Sequence, residues 1–416
     1  MTAHPLRPEV LRGFAPWAGA AVLLVLSVLL TASADTWQGG WAETAAQLHH
    51  SLLIGLPLAA AAGCRQGGRE RRRRTEELWG TAVRPPLTRL LASALPVALW
   101  VAVGYLVAVT AASLATWPYS VGDSPRLTLV PGDAAALAAA ALAGHLAGRA
   151  VSTPLAAPLL GVAGYVGLGL AAGQEWALDP ASYLAANVLP LWWQPLAMAL
   201  WTLGLALALT LAQAARRRAT ALLPLAVALA AALPLSAGNG PWRPDPLTHR
   251  QVCDTSTVPV ICVNARYSGL LPEVRAALSG VTGKLRGVHG LPARWSDQDA
   301  ESADAAPLPT LAPFGWSVVR GRLTDPEQYA WEAVMSLRGE CGDGPERILA
   351  DDAVEAYLAP NPRQRHFDAL APTGRRRAYR AARAKLAGMD EERRRAWLSA
   401  YFSARNSCDD GAVPSL

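Results

Sequence analysis

The sequence predicts an all-α membrane protein: a polytopic bundle of about seven transmembrane helices, followed by a small, helix-rich α+β extracytoplasmic domain. Three observations carry that expectation. Of the 416 residues, 52% are hydrophobic and only 17% charged, where soluble globular domains run near 25% charged. Long apolar runs recur through the first 237 residues and are absent afterwards. The arginines gather in alternate segments between those runs.

A helix that crosses the hydrocarbon core needs about 20 mostly apolar residues. Seven stretches qualify or nearly so: 14–31, 50–64, 91–116, 134–148, 154–173, 194–214 and 221–237. The second and fourth are short, and the fourth is alanine-rich. None carries Asp, Glu, Lys or Arg well inside it. A water-facing helix does not stay apolar on every face, so residues 1–237 are assigned to the membrane.

Arginine and lysine accumulate in short cytoplasmic loops. With the N-terminus inside, the inner segments hold 14 arginines: Arg7, Arg12, Arg65, Arg69, Arg71, Arg72, Arg73, Arg74, Arg84, Arg89, Arg149, Arg216, Arg217 and Arg218. The outer loops hold Arg126 alone. Trp37, Trp41, Trp117, Trp176, Trp192, Trp193 and Trp242 fall near the outer ends of the spans, where amphipathic rings favour the interface. A nucleic-acid partner is not expected, because the arginine run is flanked by apolar spans and has no recognition element to present. Ala32-Ser33-Ala34 matches a signal-peptidase pattern, but the preceding segment is longer than a usual signal core and is expected to be retained as a helix.

Seven crossings from an inside N-terminus put the tail outside. A proline-rich linker over 238–250 leads to a domain at 251–416. The tail holds four of the five cysteines, Cys253, Cys262, Cys341 and Cys408. An even number in an oxidising compartment reads as disulfides, with three pairings possible. Cys253–Cys262 and Cys341–Cys408 are the expected pairs. Cys64, at the inner end of a span, is expected to be a buried free thiol. Strands are predicted at 258–263 and 315–321, and helices at 270–288, 326–337, 346–358, 374–387 and 390–405, with Asp390 as the last N-cap. Residues 297–313 are expected to be an acidic loop.

Catalytic, cofactor and metal signals are weak, and no enzyme activity is expected. HExxH and GxSxG are absent. His249, His289 and His366 are scattered, and 280–285 (GVTGKL) lacks the spacing of a phosphate loop and lies in a helical pattern. Within the membrane His145 is the one titratable group read as deep in a span, and a helix–helix hydrogen bond is its expected role. Gly144/Gly148 and Gly169/Gly173 are expected to pack the fourth and fifth helices centrally. Pro57, Pro96, Pro158 and Pro224 are expected to kink or break their spans.

The loop between the second and third spans is the most informative. After the arginines comes TEELWGTAVRPPLTR (75–89). This charged run, Glu-Glu-Leu step and Arg/Pro turn resemble the corresponding cytoplasmic segment of bacterial ABC-2-type permeases, especially actinobacterial ones. Residues 6–17 are similar to an elbow helix, and 175–194 to the extracytoplasmic dip. The resemblance covers residues 1–215; the seventh span and the outer domain depart from the family's six-helix pattern. It implies a membrane subunit without its own cofactor, homodimeric or paired with a second permease, and driven by a separate ATPase. Glu76, Glu77, Leu78, Trp79, Arg84 and Arg89 would form the ATPase-docking loop. The alternative is a non-transporting membrane protein whose extracytoplasmic domain binds a ligand, a cell-wall component or a protein partner.

Overall fold

Apolar runs in which every face is hydrophobic have no reason to leave the helical state, because only a helix satisfies its own backbone in hydrocarbon. In the computed structural model they are helices throughout. The structure describes residues 13–72, 85–151, 153–172, 178–182, 184–237, 240–297, 304–313, 317–339, 344–407 and 409–416. The chain divides into two compact units.

The first unit comprises Met1–Trp37, Trp41–Pro118 and Ser124–Asp245. Its longer helices are α1 (Ala15–Ala32), α2 (Trp41–His50), α3 (Leu52–Gly67), α4 (Pro86–Thr116), α5 (Val130–Ala150), α6 (Ala156–Ala172), α7 (Gln194–Ala214) and α8 (Leu222–Ser236). The α2–α3 pair reads as one apolar stretch, Trp41–Gly67, and among the described residues six helices, this pair counted as one, are long and apolar enough to cross a membrane. The shorter α6 spans about 25 Å at 1.5 Å per residue, against a hydrocarbon core of about 30 Å.

The bundle closes around small residues. A Cβ added at Gly63 or Gly67 would lie 2.0 Å from the carbonyl oxygens of Ala141 or His145. One added at Gly144 or Gly148 would lie equally close to those of Ala60 or Cys64. Both registers advance together, so α3 and α5 run parallel with their backbones in contact, which bulkier residues would prevent. Gly19 and Gly104 join α1 to α4 in the same way. The expectation for Gly144 and Gly148 thus holds, but their partner is α3. A Cβ added at Gly169 would meet nothing within 4 Å, and α6 exposes Leu159, Val162, Val166 and Leu170, so α6 is peripheral rather than central; Gly173 lies outside the described residues.

The prolines divide similarly. Pro57 and Pro96 lie inside helices that continue past them. Pro158 and Pro224 are third residues of α6 and α8, where a missing N–H costs nothing.

One end of this unit is stitched by polar and aromatic contacts. Trp41 and Trp117 meet edge to face at 6.1 Å, and Thr44 Oγ1 and Thr116 Oγ1 share a hydrogen bond of 2.7 Å. Arg126 pairs with buried Asp245 and donates to Ala186 O at 3.5 Å. β1 (Val188–Pro190) pairs antiparallel with β2 (Trp242–Pro244), within the stretch expected as a linker. Trp37 and Trp41 are buried, while Trp117 and Trp192 are exposed, so the tryptophans serve as core as well as rim.

The second unit comprises Gln38–Gly40, Tyr119–Asp123 and Pro246–Leu416. Its sheet runs β3 (Gln251–Asp254), β4 (Val260–Asn264), β5 (Arg294–Ser296) and β6 (Ala305–Pro307) in that order. β3 and β4 form an antiparallel hairpin in which Cys253 faces Cys262, and the two are disulfide-bonded. β4, β5 and β6 are parallel. α9 (Leu271–Lys284) makes the β4–β5 crossover and buries Val274, Leu278 and Val281. A two-strand ladder, β7 (Val318–Val319) with β8 (Arg322–Leu323), leads to α10 (Pro326–Met335), α11 (Pro345–Leu358), α12 (Gln364–Leu370), α13 (Thr373–Ala387) and α14 (Glu391–Ser403). Ile261, Val263, Trp295, Tyr329, Ala333 and Phe402 form the centre of the core. Asp390 caps α14 as expected, accepting from Arg393 N at 2.9 Å. Arg383 ties α13 to α11 through Asp352 (2.6 Å) and to α12 through Asp368 (2.9 Å). β6 falls in the stretch expected to be a loop. Three residues of Ala-Ala-Pro carry no strand pattern and become a strand by pairing with β5.

Candidate functional site

Three buried polar side chains meet inside the helical bundle. His49, next to last in α2, Tyr105, midway along α4, and Asp133, in the first turn of α5, are each at most 5% exposed. Tyr105 OH donates to Asp133 Oδ2 at 2.7 Å. His49 Nδ1 lies 2.9 Å from Asp133 Oδ1. A carboxylate can only accept, so Nδ1 carries the proton in that bond. His49 Nε2 is buried without a hydrogen bond of normal geometry, within electrostatic reach of Asp179 and the Ser182 backbone. Asp179 is itself buried, with Oδ1 accepting from Ala181 N at 2.9 Å and Oδ2 unpaired.

This centre corrects the expectation that His145 is the one titratable group deep in the bundle. The apolar runs begin at His50 and Ala134, which puts His49 and Asp133 just outside the spans. The helices begin several residues earlier, at Trp41 and Val130, and their geometry turns both side chains inward. A helical reading of the flanks carries the signal: Leu48, Leu52, Leu56 and Ala59 share a buried helical sector next to His49, and Ala136 and Leu137 follow Asp133 at i+3 and i+4.

Intramembrane ionisable groups are costly and mark proton, ion or substrate paths. Here the chain Tyr105–Asp133–His49 ends on an imidazole nitrogen. A proton taken up at Nε2 would turn the pair into an imidazolium–carboxylate pair without moving a heavy atom. The arrangement can therefore store a proton, pass it on, or bind a polar group at Nε2.

His145 has the role expected of it. It is buried, and its Nε2 lies 3.2 Å from Ser93 Oγ on α4, joining α4 to α5. Of the docking-loop residues, Glu76, Glu77, Leu78, Trp79 and Arg84 lie outside the described residues. Arg89 is half-buried in the first turn of α4. At this same end, Arg65 stacks on Phe14 with its Cζ 5.5 Å from the ring centre, and both residues border a cleft with Gln66, Arg72 and Pro154. Cys64 is a buried free thiol. Cys341 and Cys408 are outside the described residues.

In the second unit the ends of β4 and β5 hold a smaller polar group. Burial pushes the Asp297 carboxyl up to about 6, against the opposing pull of the Asn264 N–H and the Arg266 guanidinium. Burial, with the negative charges of Asp297 and Glu332, holds the Tyr329 phenol well above its ordinary value. His249, His289 and His366 are exposed. No group of three or more His, Cys, Asp or Glu among the described residues could hold a metal ion.

The chain matches no protein-family model, no curated protein and no solved structure. Its fold defines a class nonetheless: a helical membrane protein with an ionisable centre in its bundle and a disulfide-bonded α/β unit after it.

Proposed function

We propose that this chain is the membrane subunit of an ABC-type transport system, energised by a separate ATPase, and assembled as a homodimer or with a second permease. Seven helices cross the plasma membrane, the N-terminus is cytoplasmic and residues 246–416 are extracytoplasmic. The observation that carries the topology is the set of contacts at one end of the bundle. Arg126 reaches Ala186 and Asp245, so the segments before α5, before α7 and after α8 share one side. α5 leads away from that side and only a crossing by α6 returns the chain to it. These contacts support a reading in which the short helix spans and the count is odd. The opposite end carries the arginines at 65–72, which the positive-inside rule assigns to the cytoplasm.

A separate ATPase is supported by the 65–89 segment, which is similar to the permease loop, in a sequence that carries no nucleotide-binding motif. The Tyr105–Asp133–His49 chain gives a moving bundle a titratable centre. Alkaline phosphatase fused after Leu416 is expected to be active, and inactive when fused within 69–74; the reverse would overturn the topology. Replacing Glu76, Glu77 and Trp79 with Ala is expected to abolish co-purification of an ATPase while leaving insertion intact. Wild-type protein purified without any ATPase would overturn the transport reading. It would favour a non-transporting membrane protein whose outer domain binds a ligand, a reading supported by the basic cleft around Lys284 and Arg394.

A further inference from the structure

The main segment of the second unit carries nearly balanced charge, with 22 Lys+Arg against 21 Asp+Glu from Pro246 onward. Four of those cations nevertheless line a single cleft of about 810 Å³ between α9, the end of α11 and α14: Lys284, Arg286, Arg394 and Arg395, opposed by Glu391 alone. We propose that this cleft is a binding site for a phosphate-class oligoanion.

Two of the cations are already held in place. Lys284 Nζ donates to Tyr357 O at 2.7 Å and Leu358 O at 3.2 Å, closing the C-terminal end of α11. Arg394 donates to Tyr357 OH at 3.1 Å and to Ala387 O at 3.4 Å, the last carbonyl of α13. Both sit against the Tyr357 ring, with Lys284 Nζ at 5.3 Å and Arg394 Cζ at 4.9 Å from its centre. The partial negative charge of helix C-termini and of an aromatic face fixes these cations without neutralising them. Arg394 also has an Nε–H that is buried and has no acceptor.

The other two cations are exposed parts of the rim. Arg286 is exposed, and Arg395 makes a surface pair with Glu391 at 2.6 Å, an interaction that contributes little in water. The floor is bare. A Cβ added at Gly280 or Gly283 would find nothing within 4 Å, so a ligand can rest on the backbone of α9. Planar guanidinium forks match phosphate oxygens in pairs, and the cleft exceeds what one phosphate fills. A chain of phosphates meets both conditions. The phosphate could come from a soluble or wall-attached polymer or from anionic lipid headgroups, and the experiment separates the two.

The probe is linear triphosphate, titrated calorimetrically into the full-length protein in phosphatidylcholine nanodiscs at low salt. Two double variants leave the helix-closing contacts of Lys284 and Arg394 alone. Arg286→Gln/Arg395→Gln removes charge, and Gly280→Leu/Gly283→Leu fills the floor with charge intact. Each is expected to weaken triphosphate binding by about tenfold or more, the first through lost charge-assisted hydrogen bonds and the second by filling the floor, with a thermal midpoint no lower than that of wild type. Phosphatidylglycerol nanodiscs that weaken binding to wild type but not to the variants would assign the site to lipid headgroups. Competition by soluble poly(glycerol phosphate) in phosphatidylcholine would assign it to a polymer. Wild-type protein that does not bind triphosphate, or variants that bind it as wild type does, would overturn the proposal. Neither result depends on an ATPase, so the transport reading stands or falls separately.

Discussion

Replacing Gly144 and Gly148 together by Ala should destabilise the bundle, and replacing Gly167 and Gly169 together should not. Both pairs lie in apolar helices, α5 and α6, and both changes improve helix propensity by the same amount per residue. What differs is the space each new methyl meets. At Gly144 and Gly148 the Cβ would stand 2.0 Å from a carbonyl oxygen of α3, whereas at Gly167 and Gly169 nothing lies within 4 Å. Ordinary van der Waals contact begins near 3.4 Å, so α3 and α5 would have to part by more than about an ångström along their closest approach, as small-residue interfaces do not tolerate. Overpacking of this kind costs roughly 1–3 kcal/mol per site, or about 2–6 kcal/mol for the pair. For a unit of this size each kcal/mol moves the midpoint by about 2–4 °C, so the two double variants should melt about 4–24 °C apart. Tryptophan fluorescence during a thermal ramp in detergent reads this directly. Equal midpoints would refute the parallel, backbone-close packing of α3 on α5.

Two further outcomes concern the second unit. The raised Asp297 carboxyl binds its proton more tightly folded than unfolded, so its contribution is complete below about pH 4 and is lost as pH rises through about 6. The loss amounts to about 3 kcal/mol at most; Asp297→Asn should abolish this part of the pH dependence, and an unchanged stability profile between pH 4 and 7 would refute it. Replacing Cys253 and Cys262 by Ser opens a loop closed across a sequence separation of 9, and should lower stability by about 3 kcal/mol; peptide mapping without reduction checks that the pair is bonded to begin with.

Much of the architecture was legible in the residues because hydrophobicity acts locally and over long runs. Fourteen or more consecutive apolar residues admit one backbone solution in hydrocarbon, so α1, α4, α7 and α8 follow from composition. The Cys253–Cys262 bond, the Asp390 cap and the helices α10, α11, α13 and α14 were equally readable, since each depends on neighbours within a few positions, whereas the short α12 was not foreseen. The tertiary structure decided the rest. His49, Tyr105 and Asp133 stand 84 positions apart at their widest, and no local rule brings an imidazole and a phenol from two other helices onto one carboxylate. Gly144 and Gly169 look alike in sequence, yet one touches a backbone and the other touches nothing, because the difference belongs to the partner helix. The short strands β5 and β6 exist through pairing rather than propensity. Four cations in a nearly neutral domain became a cleft only when α9, α11 and α14 closed around Tyr357. In each case the deciding energy is an interaction between distant segments, and a sequence records such an interaction only one half at a time.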